Sequence, residues 1–261
     1  MKLKFIAAAA LLAATGAANA AIDNGISSGN GELFFSAWDG ANSYTFDLNT
    51  SISAFEAGVA AVGAIDQTFS LDALFNTYLS TANLSNLVWN IVASDGTGAR
   101  RIINTFSTLP ATTIAADIAR STTGAIGSFV TAVNTGITSQ GGVNSAVFAA
   151  GTAGYANNTA PTPLRFGANN GGGINFNNTG TVANNSYESG LGLMRLDGAQ
   201  GGTALTTYTP YTDGGLAVRA YFDASMGTVT IAAVPEPETY ALLLAGLGLM
   251  GAIARRRRNQ A

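Results

Sequence analysis

The stretch GELFFSAWDGANSYTFDL sets two apolar runs on either side of an Asp-Gly pair, and no other pattern in the chain constrains the fold as much. Strand side chains alternate between two faces, and Asp-Gly suits the positive φ of a tight hairpin. The spacing predicts strands over Glu32–Trp38 and Ser43–Leu48, with the turn at Asp39-Gly40-Ala41-Asn42. The pattern recurs in LVWNIVASDGTGARRIINTF. There Leu87, Trp89, Ile91 and Ala93 alternate with Val88, Asn90, Val92 and Ser94. Asp95-Gly96-Thr97-Gly98 reverses the chain, and Arg101, Ile103 and Thr105 alternate with Ile102, Asn104 and Phe106. Later, Leu216, Val218, Ala220 and Phe222 share a face opposite Arg219, Tyr221 and Asp223, and Val229 and Ile231 belong to a final strand.

Two stretches carry helical spacing instead. In SLDALFNTYLST, Leu71, Leu74, Phe75, Tyr78 and Leu79 form one stripe behind Ser70 as N-cap. In TTIAADIARSTTGAIGSFVTAV, Ile114, Ile118, Phe129 and Val130 form another, weakened by Gly124 and Gly127, with Asn134-Thr135-Gly136 as the stop. From Gly136 to Asn185 periodicity is lost, and residues 167–180 hold five Gly and five Asn. Such a stretch predicts a long loop. The expected body, residues 21–233, is one α+β domain: predominantly antiparallel sheet with about two helices.

The two ends have a different character. MKLKFIAAAALLAATGAANA carries Lys2 and Lys4, then an apolar run, then Ala18-Asn19-Ala20, the parts of a secretory signal peptide cleaved after residue 20. At the other end, Ala241 to Ala254 is a run of fourteen uncharged residues, followed by Arg255, Arg256, Arg257 and Arg258. As a helix that run is about 21 Å long, against a bilayer core of about 30 Å. With Tyr240 at one interface and the arginines at the other, residues 240–254 are expected to span a membrane weakly, with the basic tail 255–258 held in the cytoplasm.

Charge limits what the body can meet. Charged residues make up only 10% of the chain, against a norm of about 25%. Between Ala21 and Ala233 six arginines face thirteen acids, a net charge near −7 with no lysine. That balance argues against nucleic acid as a partner. The chain has no His and no Cys, which excludes Ser-His and Cys-His nucleophile systems and thiolate metal sites. No cofactor and no metal site is expected. Asp39 and Asp95 each offer one acid, too few for calcium and suited to turns. Trp38 and Trp89 read as core residues. Tyr208 and Tyr211, in TTYTPYTDGG, read as loop aromatics that could stack on a sugar.

The string Pro235-Glu236-Pro237, a short apolar run and an arginine cluster at the C-terminus resembles the PEP-CTERM sorting signal of Gram-negative bacteria. The resemblance covers residues 234–258, in order and spacing. It implies that residues 234–261 are a substrate signal for exosortase, an integral-membrane processing enzyme. Pro235, Glu236 and Pro237 are then acted upon and catalyse nothing. It also implies export across the inner membrane, transient anchoring there, and release to a cell surface or matrix rich in exopolysaccharide. The expected function is non-enzymatic. The alternative is a secreted carbohydrate-active enzyme working with a carboxylate pair such as Glu188 and Asp197, which would need to lie about 5 to 9.5 Å apart.

Overall fold

The computed structural model describes residues 21–61, 65–98, 100–110, 113–140, 144–157, 166, 169–170, 174–175, 178–198, 204–206, 208–233, 245–247 and 249–250. The first hairpin forms as the Asp-Gly signal predicts, with β1 at Glu32–Trp38 and β2 at Asn42–Ser51. Gly40 turns the chain at φ 98°, and the Asp39 carboxylate accepts from the Ala41 and Asn42 amides at 2.9 and 2.8 Å. Next come α1 (Ile52–Ala60), β3 (Asp66–Ser70) and α2 (Ala73–Leu79). The second hairpin is β4 (Val88–Ser94) with β5 (Arg101–Phe106). After the short β6 (Ile114–Ala115), α3 runs from Ala116 to Gln140. Then follow β7 (Ser145–Ala149), β8 (Asn169–Asn170), β9 (Ile174–Asn175), β10 (Gly180–Thr181) and β11 (Leu191–Asp197). The chain continues through β12 (Leu205–Thr206), β13 (Thr209–Pro210), β14 (Thr212–Asp213), β15 (Leu216–Asp223) and β16 (Thr228–Ala233).

Twelve strands make one antiparallel sheet in the order β3-β16-β15-β11-β5-β4-β1-β2-β7, with β10 beside β4, β13 beside β11 and β14 beside β15. The sheet is not flat. β1 and β15 are four steps apart in that order, about 19 Å at the usual strand spacing. Yet Phe35 of β1 and Phe222 of β15 have ring centroids 4.9 Å apart. Only a curled sheet, a half-barrel, brings them together.

Two cores result, one on each face. Inside the curl, Leu33, Phe35, Tyr44, Trp89, Leu193, Val218 and Ile231 pack with Phe55 of α1 and Phe75 of α2. Outside it, Phe34, Trp38, Val92, Ile102 and Met194 lie under Ile126, Phe129, Val130 and Val133 of α3. This double coverage is why β1 and β4 are buried at nearly every position rather than at alternate ones.

Several boundaries differ from expectation. Ser70 ends β3 and does not cap α2; Asp72 does, accepting from the Leu74 and Phe75 amides at 3.1 and 3.3 Å. A carboxylate two residues on is the stronger cap because it reaches both free amides. α3 does not stop at Asn134-Thr135-Gly136. Asn134 instead clamps the Ile22 backbone through its side chain, donating and accepting at 2.9 Å. Gly136 lies against the Phe148 ring of β7, where a Cβ would collide, so the glycine serves a close approach rather than a helix end. The expected loop from Gly136 to Asn185 contains the last turn of α3 and the strands β7 to β10, alongside stretches outside the described residues. α1, β3 and β11 carry no clear periodic mark in the sequence.

Candidate functional site

Strand registers give the half-barrel two distinct ends. At one end lie the starts of β1, β5, β15 and β3 and the finishes of β2, β4, β11 and β16. At the other lie the Asp39–Asn42 turn, Leu191 and the β15–β16 turn. α1 follows β2 at the first end, and α2 follows β3 at the second.

The first end is held by charge. Glu56 of α1 reaches down to two strands at once. Its Oε2 takes a guanidinium N–H of Arg101 at 2.7 Å. Its Oε1 takes one from Arg195 at 2.6 Å and the Tyr211 hydroxyl at 2.8 Å. Arg101 also binds Asp95 through Nε at 2.6 Å, and Arg195 binds Asp197 at 2.8 Å. Burial works against the charge of both arginines, but Asp95 and Glu56 raise the Arg101 pKa overall, as Asp197 and Glu56 do for Arg195. All three carboxylates are thus spent on guanidinium groups and offer no free base. Asp95 also accepts from the Arg101 amide at 2.5 Å, which makes it the brace of its hairpin, as turn chemistry predicts.

Glu188 and Asp197 do not share a site. They flank opposite ends of β11, whose six steps from Leu191 to Asp197 alone span about 20 Å, twice the longest separation for a glycosidase pair. Tyr208 is 8% exposed and packs under α3. The Tyr211 ring is half-buried edge-on to Phe55 at 5.0 Å. Burial, then Glu56, pushes its hydroxyl pKa well up. The loop exposure on which sugar stacking was expected is therefore lost at Tyr208 and reduced at Tyr211. Among the described residues no group of three or more Asp or Glu could hold a metal ion.

Among the described residues one buried carboxylate keeps an oxygen without a partner. Asp47 is fully buried on the α3 side of β2, and its Oδ1 accepts from the Asn49 amide at 2.7 Å while Oδ2 has no partner. Burial, with Glu32 nearby, pushes its carboxyl up to about 7, the Asn49 bond working against the shift.

At the second end a shallow cleft of about 260 Å³ is lined by Leu79, Leu84, Val182, Asn185, Asp223, Ala224 and Ser225. Leu84 is 47% exposed there.

β16 leaves the body at the first end. It is not an edge strand: β15 pairs on one side and β3 on the other, and the Ala233 amide donates to the Ile65 carbonyl at 3.1 Å. The family model of the PEP-CTERM protein-sorting motif matches residues 233–258, so it begins on the last residue of this strand. The chain carries the PEP-CTERM sorting signal. No curated protein and no solved structure matches it.

Pro235, Glu236, Pro237 and Arg255 to Arg258 lie outside the described residues, as do Ala18 and Ala20. So does most of the expected span 240–254. Its described parts, 245–247 and 249–250, are helical, and Leu247, Leu249 and Met250 are 51%, 64% and 62% exposed. These apolar side chains of the PEP-CTERM tail belong to neither core. Among the described residues no helix is long and apolar enough to cross a membrane. The motif is a substrate signal for exosortase and implies an exported, exosortase-sorted protein.

Proposed function

We propose that this protein is a non-enzymatic component of the cell surface or extracellular matrix, anchored transiently, released by exosortase, and held in exopolysaccharide. The sorting motif carries this reading, because it starts where a complete two-sided sheet ends. A body whose last strand is already paired on both sides by β15 and β3 can be released without losing those pairings. The chemistry of the body supports a binding or structural role over catalysis: each acid of the Glu56 cluster is paired with an arginine, and the body is acidic and sparsely charged.

Cell fractionation with intact-mass measurement tests the sorting part. The released form is expected to lack both the leader and the apolar tail. Full-length protein in the cytoplasm would end the reading. Glycan-array binding with the released form tests the exopolysaccharide part, and silence across neutral and acidic glycans would remove it.

A further inference from the structure

We infer that the end of the half-barrel bearing Ala233 is the surface the body turns to the lipid bilayer, and that the opposite end, with its cleft, is displayed outward. The inference rests on the reading that the tail inserts in the membrane. Three observations carry it.

The first is where the chain leaves. Ala233 pairs with Val218 at the start of β15, and Ala232 pairs with Asp66 at the start of β3. From Ala233 to Ala241, where the uncharged run begins, there are eight steps of chain, at most about 29 Å. The body therefore cannot drift far from the bilayer, and its exit point lies nearest.

The second is length. β15 runs eight residues, Leu216 to Asp223, so the two ends are separated by about 23 Å at ~3.3 Å per residue. A body standing on its exit end therefore holds its two ends at depths that differ by about that length, whereas one lying on its side holds them at the same depth.

The third is charge. Arg101 and Arg195 at the exit end are both engaged by carboxylates, and the body as a whole is acidic. Among the described residues Arg100 adds a single further arginine at this end, not a basic patch with which an acidic body would lie down on anionic lipid.

The chain has no cysteine, so single-cysteine variants report one position each. Asp66→Cys and Thr212→Cys mark the exit end, and Leu84→Cys and Met226→Cys mark the far end; all four positions are exposed. Each full chain is labelled with a fluorophore and reconstituted into phosphatidylcholine vesicles carrying a headgroup quencher. Flotation confirms attachment, and circular dichroism confirms the fold. Both exit-end labels are expected to be quenched at least about threefold more than both far-end labels, given the separation of roughly 23 Å. Vesicle-bound protein with equal quenching at the two ends, or the reverse order, overturns this inference and leaves the anchor intact. Chains that fail to float overturn the anchor, and this inference with it.

Discussion

Two acids of this body have opposite fates, and each can be tested alone. Asp47 is buried without a counter-charge, and its carboxyl is pushed up to about 7 from an ordinary 3.8. Between those values the folded protein holds a proton that the unfolded chain has released. Stability is thus expected to fall as pH rises from about 4 to 7 and to level off above, with an upper bound of roughly 4 kcal/mol. Asp47→Asn cannot ionise, so its urea midpoint should hold nearly steady from pH 5 to 8 while that of the parent declines. Parallel pH profiles would show that Asp47 is not the responsible group. Glu56 is the reverse case, a carboxylate shared by two arginines and a tyrosine. Glu56→Ala removes the carboxylate that joins the two arginines, each of which keeps its aspartate, and takes the acceptor from the Tyr211 hydroxyl; a loss of about 1 to 3 kcal/mol is expected. A midpoint within experimental error of the parent would reduce the cluster to surface decoration. None of this cluster shows in sequence spacing, because Glu56 meets Arg101, Arg195 and Tyr211 across 45, 139 and 155 residues.

Among the elements, α2 is short but closes the mouth of the curl. Phe75 lies 5.3 Å from Tyr44 on β2 and 5.7 Å from Phe222 on β15, centroid to centroid, joining strands five steps apart in the sheet. Phe75→Ala should cost about 3 to 5 kcal/mol, read from chemical denaturation, because the cavity would open between two walls that cannot both move in. A loss below about 1 kcal/mol would mean that the walls do collapse and that α2 is a lid rather than a strut. α2 was legible from its apolar stripe, and so were β1, β2, β4, β5 and β15, where alternation flanks a turn. α1 was hidden because Ser51 both ends β2 and accepts from the Ala54 amide to start the helix. β11 reads LGLMRLD, and Gly192 dilutes its alternation; the glycine is there because the Phe106 ring occupies the place of its side chain. The curl itself leaves no local mark. It depends on which strands pair, and Thr68 of β3 meets Thr230 of β16 across 162 residues.

For the whole molecule, the tail was the most legible part, since sorting signals are read as linear strings by other proteins and need no fold of their own. Two variants should separate its parts. Replacing Pro235, Glu236 and Pro237 with alanine is expected to leave insertion intact but the chain uncut and cell-bound on a blot. Replacing Arg255 to Arg258 with glutamine is expected to impair orientation, because each arginine at the centre of a span costs about 2.5 to 3.5 kcal/mol and four together act as a stop. Identical processing of both variants and the parent would show that neither part is used. The placement of β16 also imposes a schedule. β3, made early, waits as an open edge for a strand synthesised some 160 residues later. That partner is the last strand of the body, directly ahead of the sorting motif. The sheet cannot be finished until β16 is free to pair with β3 and β15. The two hairpins can pair without it, so the seam between β3 and β16 is the closure left for the end of synthesis, and the body is completed only by the strand that runs into the sorting motif.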